Sequence, residues 1–236
     1  MAGKRDFYIV HEDRDLFVVD KPAGLLAVPI PNSKAKNLFD LVARHLGKHG
    51  VRVGSVHRID RYTSGLMVFA KNKKSYDHLF EQFKNHEPDR RYLALVRGRV
   101  EPEEGELFHH LKLISEGFRN VVVDPEEEDA TPARLSWSVR EYLHKTTLVE
   151  VKLDTGLKNQ IRVQFNEAGH QLVGDQHYAP EEEEEPLINR QALHAWRLAF
   201  EHPRGGREVR FEAKVPPDMM RLIDHFRWKK EMESGA

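Results

Sequence analysis

Apolar positions along the chain recur with two periods. Residues 16–19 read as a strand, closed by the turn Lys21-Pro22-Ala23-Gly24, because proline fixes φ and glycine accepts positive φ. Between residues 37 and 46 the apolar Leu38, Leu41, Val42 and Leu46 recur at helical spacing and stop at Gly47, which predicts a short amphipathic helix. Residues 55–60 and 66–70 are expected to be strands on either side of Tyr62-Thr63-Ser64-Gly65, the second apolar enough to be covered on both faces. A helix is predicted over 73–85, with Tyr76, Leu79, Phe80 and Phe83 on one side, and a strand over 92–96. Leu135, Trp137 and Val139 alternate with polar residues, as do Val149, Val151 and Leu153, so two half-buried neighbouring strands are expected. A helix after Asp154-Thr155-Gly156 gathers Ile161, Phe165 and Ala168 and ends at Gly169. Val209, Phe211 and Ala213 mark a late strand, and Met219, Leu222, Ile223 and Phe226 a terminal helix. Strands with helices interspersed irregularly point to an α+β fold rather than an ordered βαβ series. With no internal repeat and no Gly/Ser linker, residues 1–236 are expected to form a single domain.

Composition narrows the chemistry. The chain has 236 residues, 39% of them hydrophobic, and no cysteine, which excludes disulfides, thiolate metal sites and a cysteine nucleophile and suits a reducing compartment. Neither a signal peptide nor a run of about 18 apolar residues is found, so a cytoplasmic protein without a membrane segment is expected. Net charge is −1, an argument against a nucleic-acid partner, but the distribution is uneven. Residues 52–99 hold eleven Lys and Arg against five Asp and Glu, a net +6 that suits phosphates. Residues 101–129 reverse this, with ten acids against Lys112 and Arg119; these acids and the run 181–185 are expected to be solvated loops.

The densest cluster of chemistry is His57-Arg58-Ile59-Asp60-Arg61-Tyr62-Thr63-Ser64-Gly65. Two readings stand. A carboxylate at a strand end, followed by small hydroxyl residues and glycine, lies where a substrate approaches backbone closely. The same pattern also describes an Asx turn capped by Thr63 or Ser64. A metal-dependent hydrolase is a further alternative, prompted by His170, Asp175 and His177, although the His-Glu-x-x-His spacing is missing.

The segment His57 to Leu66, with Ala70-Lys71, resembles the RluA-type pseudouridine synthase signature His-Arg-Leu-Asp-x-x-Thr-Ser-Gly-Leu followed by Ala-Lys, with Ile59 in place of leucine. Other segments agree in order. Lys21-Pro22-Ala23-Gly24-Leu25-Leu26 is similar to the family's early Lys-Pro-x-Gly element, and Arg91-Tyr92-Leu93-Ala94-Leu95-Val96-Arg97-Gly98 to its tyrosine motif. Thr155-Gly156-Leu157-Lys158-Asn159-Gln160-Ile161-Arg162-Val163 resembles Thr-Gly-Arg-x-x-Gln-Ile-Arg, and Gly169-His170, Gly174-Asp175 with Tyr178, and Leu193-His194-Ala195 follow. The resemblance runs from about residue 15 to 217.

It implies a mixed, mainly antiparallel sheet with flanking helices and a catalytic cleft, into which a uracil is flipped from ribosomal or transfer RNA. Asp60 is then the catalytic carboxylate, Tyr92 the residue that stacks on the base and relays a proton, and Arg162 the partner of Asp60. Read from the residues alone, Tyr92 suits a core aromatic, and Arg162 suits solvent or a pair with Glu167. By the same resemblance Lys21, Arg58, Arg61, Thr63, Ser64, Gly65, Leu66, Gln160 and Ile161 form the substrate-binding set. Isomerisation has no redox step, so no cofactor or metal is implied, and a monomer is expected. Attack by the aspartate and proton removal from the sugar both remain open. Leu157 replaces the arginine usual after Thr-Gly, and Lys158-Asn159 the common Thr-His, which bears on RNA affinity or choice of site; loss of catalysis with RNA binding retained is the alternative this raises. An S4-type RNA-binding domain is not expected in the roughly 14 residues before the first matched segment.

Overall fold

The computed structural model describes residues 6–48, 50–178 and 187–235. The acidic run 181–185 lies outside them. In chain order the elements are β1 (Tyr8–Glu12), β2 (Leu16–Lys21), α1 (Leu38–Gly47), β3 (Gly54–Ser55), β4 (Ser64–Ala70), α2 (Lys73–Lys84) and β5 (Asp89–Arg97). Next come β6 (Glu104–Ile114), β7 (Arg119–Val123), β8 (Thr131–Leu143), β9 (Thr146–Leu153) and α3 (Gln160–Glu167). The chain ends with β10 (Leu193–Glu201), β11 (Glu208–Glu212) and α4 (Pro217–Ser234). The fold is α+β, as the irregular order of elements implies. No helix among the described residues is long and apolar enough to cross a membrane.

The contacts divide the chain into two compact units, residues 1–90 with 195–214 and residues 91–194 with 215–236. In the first unit the strand order is β1-β2-β4-β10, with β3 on β4 and β11 on β10. β2 and β4 run antiparallel, in register from Leu16 opposite Ala70 to Lys21 opposite Gly65. One face of this pair, Leu16, Val18, Leu66, Val68 and Ala70, packs with Leu79 and Phe83 of α2 and Leu198 and Phe200 of β10. The other face presents Phe17 and Phe69, whose rings meet His45 and Phe39 of α1. Every residue of β4 is buried, as expected of a strand apolar on both sides. Both helices start on an asparagine: Asn37 accepts from Asp40 N and Asn72 from Ser75 N, each satisfying a donor the helix leaves unpaired.

The second unit is an antiparallel sheet in the order β5-β9-β8-β6-β7. α3 lies on it through Val163, which packs with Leu111 and Ala133. α4 buries Met219, Leu222, Ile223 and Phe226 and is pinned by Arg227, which bonds Glu141 through both ends of its guanidinium at 2.9 and 2.8 Å.

Two expectations need correction. Residues 56–60 are not a strand, since pairing stops at Ser55. The ring of His57 takes over there, its Nε2 accepting from Val68 N at 3.0 Å, so a side chain satisfies the donor that a ladder would have used. The acidic segment 101–129 is not loop throughout but carries β6 and β7, a ribbon whose alternating exposure leaves its carboxylates on the wet positions. Strands β1 and β10 and the full extent of β11 and α4 were not resolved by periodicity.

Candidate active site

The signature loop, residues 56–63, is assembled in the first unit from two segments about forty positions apart in sequence. Lys21 is fully buried at the end of β2, and its Nζ donates to the carbonyls of Pro22 at 3.0 Å, Leu25 at 2.8 Å and Arg61 at 3.0 Å. Gly24 N donates to Arg61 O at 2.9 Å, and Arg61 Nε returns a bond to Gly24 O at 2.9 Å. An ammonium has three protons and three carbonyls take them, so Lys21 fastens the Pro22–Gly24 turn to the loop that carries Asp60. Asp60 itself is half-buried, and its carbonyl accepts from Thr63 N at 3.2 Å, closing the turn. Thr63 and Ser64 are buried, whereas Arg58 and Arg61 are exposed, the latter over the Tyr62 ring at 5.3 Å.

Gly65 is required by geometry. Its φ is +118°, and a Cβ there would stand 2.2 Å from Ala195 O. Leu66 next to it is a core residue, 2% exposed within the apolar cluster of the first unit. His57 stacks on Phe83 at 4.5 Å, and burial together with the charge of Arg90 pushes its pKa down to about 3. It is therefore a neutral acceptor that holds the loop to β4. Burial pushes the pKa of Asp20, at the end of β2, up to about 6, against the opposing effects of Lys21 and the Gly65 N–H.

In the second unit Tyr92 lies on β5, 9% exposed, in the same cross-strand row as Val151 and Trp137. Gln160 is buried at the start of α3 and acts as a brace. Its Oε1 accepts from Leu157 N at 3.0 Å and Thr155 Oγ1 at 2.9 Å, and its Nε2 donates to Arg134 O at 3.0 Å. Ile161 is 4% exposed. Arg162 forms a buried two-pronged ion pair with Asp175, Nε to Oδ2 at 2.6 Å and NH2 to Oδ1 at 2.7 Å. The same Oδ1 accepts from His177 N and Tyr178 N, so one carboxylate orders the loop and aims the arginine. Arg162 also lies over the Tyr178 ring at 5.0 Å. Asp175, which the sequence pattern offered as a metal ligand, instead pairs with Arg162. It stood inside a matched motif, but nothing in the motif marks a partner 13 positions away.

The unusual Leu157 packs with the Leu111, Ala133 and Val163 cluster, and the cation beside it, Lys158, bonds Phe118 O and lies 3.5 Å from the Phe118 ring centroid. The metal alternative finds no geometry here. Asp175 is engaged by Arg162 and His170 Nδ1 by Arg97 O, and among the described residues no group of three potential ligands stands together. The basic stretch 52–99 is also less free than its count suggests. Lys71, Lys73, Lys84, Arg91 and Arg99 each pair with a nearby carboxylate.

Residues 15–167 match the family described as RNA pseudouridylate synthase. The chain belongs to the RluA-type RNA pseudouridine synthases. RNA pseudouridine synthases are isomerases, and this chain is one by membership. It is 36% identical over 232 residues to the RNA pseudouridine synthase YlyB of Bacillus subtilis, covering 96% of this chain and 75% of that one. To the dual-specificity RNA pseudouridine synthase RluA of Vibrio parahaemolyticus it is 37% identical over 201 residues, covering 83% and 78%. Its fold is like that of human RNA pseudouridylate synthase domain containing 4, with a TM-score of 0.75 at 21% identity and 93% of each chain covered.

Proposed function

We propose that this pseudouridine synthase converts selected uridines of ribosomal or transfer RNA, with Asp60 as its catalytic carboxylate. The observation that carries the reading is the construction around Asp60. A buried lysine, a paired turn and a glycine with positive φ hold one half-buried carboxylate on the loop. A relative named ribosomal large subunit pseudouridine synthase D, from Zymomonas mobilis, is 35% identical over 91% of this chain, which favours the ribosomal substrate. In this reading the base is flipped out of the stack, the bond from N1 to C1′ breaks, the uracil rotates, C5 joins C1′ and then gives up its proton, and N1 ends protonated. As the family resemblance implies, Tyr92 stacks on the base and Arg162, aimed by Asp175, is the partner of Asp60.

The test is Asp60→Asn, assayed by mass-spectrometric mapping of pseudouridine in unmodified ribosomal and transfer RNA transcripts. Turnover should fall by at least about four orders of magnitude, equivalent to roughly 5.4 kcal/mol of transition-state stabilisation, with folding kept. A variant that retains a tenth of wild-type turnover refutes the role of Asp60.

A further inference from the structure

The first unit has a polar concavity of about 450 Å³ where β2 and α2 both begin. Arg14, Asp15, Asn72, Lys74, Ser75 and Arg204 line it, and Pro203 is the one apolar side chain in its wall. Its single acid is already satisfied. Asp15 Oδ1 accepts from Asn72 Nδ2 at 2.8 Å and Ser75 Oγ at 3.1 Å, and its Oδ2 pairs with Arg204 at 2.8 Å. Three cations less one carboxylate leave a net +2 in the concavity. Arg14 and Lys74 are exposed and have no ion-pair partner among the described residues, whereas the neighbouring Lys71 and Lys73 are paired with Glu12 and Asp77. Two exposed cations in one concavity thus lack an ion-pair partner among the described residues, an arrangement that an anion complements.

The shape and lining narrow the anion. A wall that carries two exposed cations and a single apolar side chain matches an oxyanion presented by a larger molecule. The concavity lies at the Ala70 end of β4, and the signature loop joins the Ser64 end. Six residue steps at roughly 3.3 Å put these ends about 20 Å apart, the rise of about six stacked nucleotides at roughly 3.4 Å each.

We propose that this concavity is a docking subsite for backbone phosphates of the substrate RNA, several nucleotides away from the modified uridine. The inference rests on the RNA-modifying function proposed above and adds to it a place on the protein where affinity is generated without contact to the reacting base. Phosphate contacts position the RNA and leave sequence unread, so the subsite serves every substrate alike.

The test uses the full chain and its Arg14→Gln/Lys74→Gln variant. Binding of a fluorescein-labelled oligouridylate of about 20 nucleotides is followed by anisotropy from roughly 50 to 200 mM KCl. The variant's log-log salt slope should be shallower by about 1.4, two phosphates at roughly 0.7 each. Its melting temperature should be unchanged, and Arg14→Lys/Lys74→Arg should keep the wild-type slope. An unchanged slope in the Gln variant overturns the proposal. So does a slope unchanged while inorganic phosphate raises the melting temperature of wild type alone, which would mark a free-anion site. Pseudouridine formation by wild type on unmodified transcripts is measured in parallel. Product with an unchanged slope refutes the subsite alone, whereas neither product nor oligouridylate binding refutes the RNA function and the subsite with it.

Discussion

Replacing Asp175 by asparagine removes one charge from the most buried ion pair of the second unit while nearly preserving shape. The side chains of Arg162 and Asp175 are 10% and 1% exposed, and the pair is two-pronged at 2.6 and 2.7 Å. Breaking a buried pair from one side costs about 3–5 kcal/mol, because the remaining charge stays desolvated without a counter-ion. Two features soften this. The Tyr178 ring under Arg162, at 5.0 Å, offers about 0.5–1 kcal/mol of cation–π attraction, and the asparagine carbonyl can still accept from one of the two backbone donors at 177 and 178. The net expectation is about 3 kcal/mol. In urea unfolding, with a slope of roughly 2 kcal/mol per molar, the midpoint should fall by about 1.5 M. Arg162→Met should cost a similar amount, but Arg162→Met with Asp175→Leu should recover much of it, since an apolar pair carries no desolvated charge. A cycle over these variants should therefore show coupling above about 1 kcal/mol. If Asp175→Asn unfolds within about 0.5 kcal/mol of wild type, or the double variant equals the sum of the singles, the pair does not hold this loop.

Gly65→Ala should destabilise by several kcal/mol or abolish soluble expression, since it places a methyl 2.2 Å from Ala195 O at a φ of +118°; a midpoint like that of wild type would show that β4 and β10 move apart freely. Lys21→Met strands the carbonyls of Pro22, Leu25 and Arg61 and should cost on the order of 3 kcal/mol in thermal or urea unfolding, and a neutral outcome would remove its fastening role. His57 has a folded pKa of about 3 against 6.5, so the unfolded chain binds the extra proton between those values. Its contribution to stability is full above pH 6.5 and falls by about 1.4 kcal/mol per unit on acidification below it. Asp20 acts in the opposite sense. Its pKa is raised from 3.8 to about 6, so its contribution is present below 3.8 and is lost as pH rises through 6. Urea midpoints from pH 7 to 4 should thus fall less steeply in His57→Gln than in wild type, and parallel curves would contradict a neutral His57.

Helices α1, α2 and α3, the doubly covered β4 and the pairing of β8 with β9 were all legible in the sequence, because the period of apolar residues reports which faces of an element avoid water. Membership of the family was legible too, from motifs in fixed order. The polar ribbon of β6 and β7 was not, since a two-stranded extension wet on much of its surface alternates only weakly and its ten-acid neighbourhood looks like loop. Nor did any local pattern separate residues with the same motif address into different duties. Lys21, Gln160 and Leu66 belong to the motifs, yet the first two brace backbone and the third fills the core. Asp175 read as a metal ligand until Arg162 was brought to it, and Lys71, Lys73 and Arg91 looked free until their carboxylates arrived from β1, α2 and β9. Periodicity is a property of one element and survives in a string of letters. The partner that a buried charge or carbonyl finds is chosen by the long-range packing of several elements, and that choice exists only once the chain has folded.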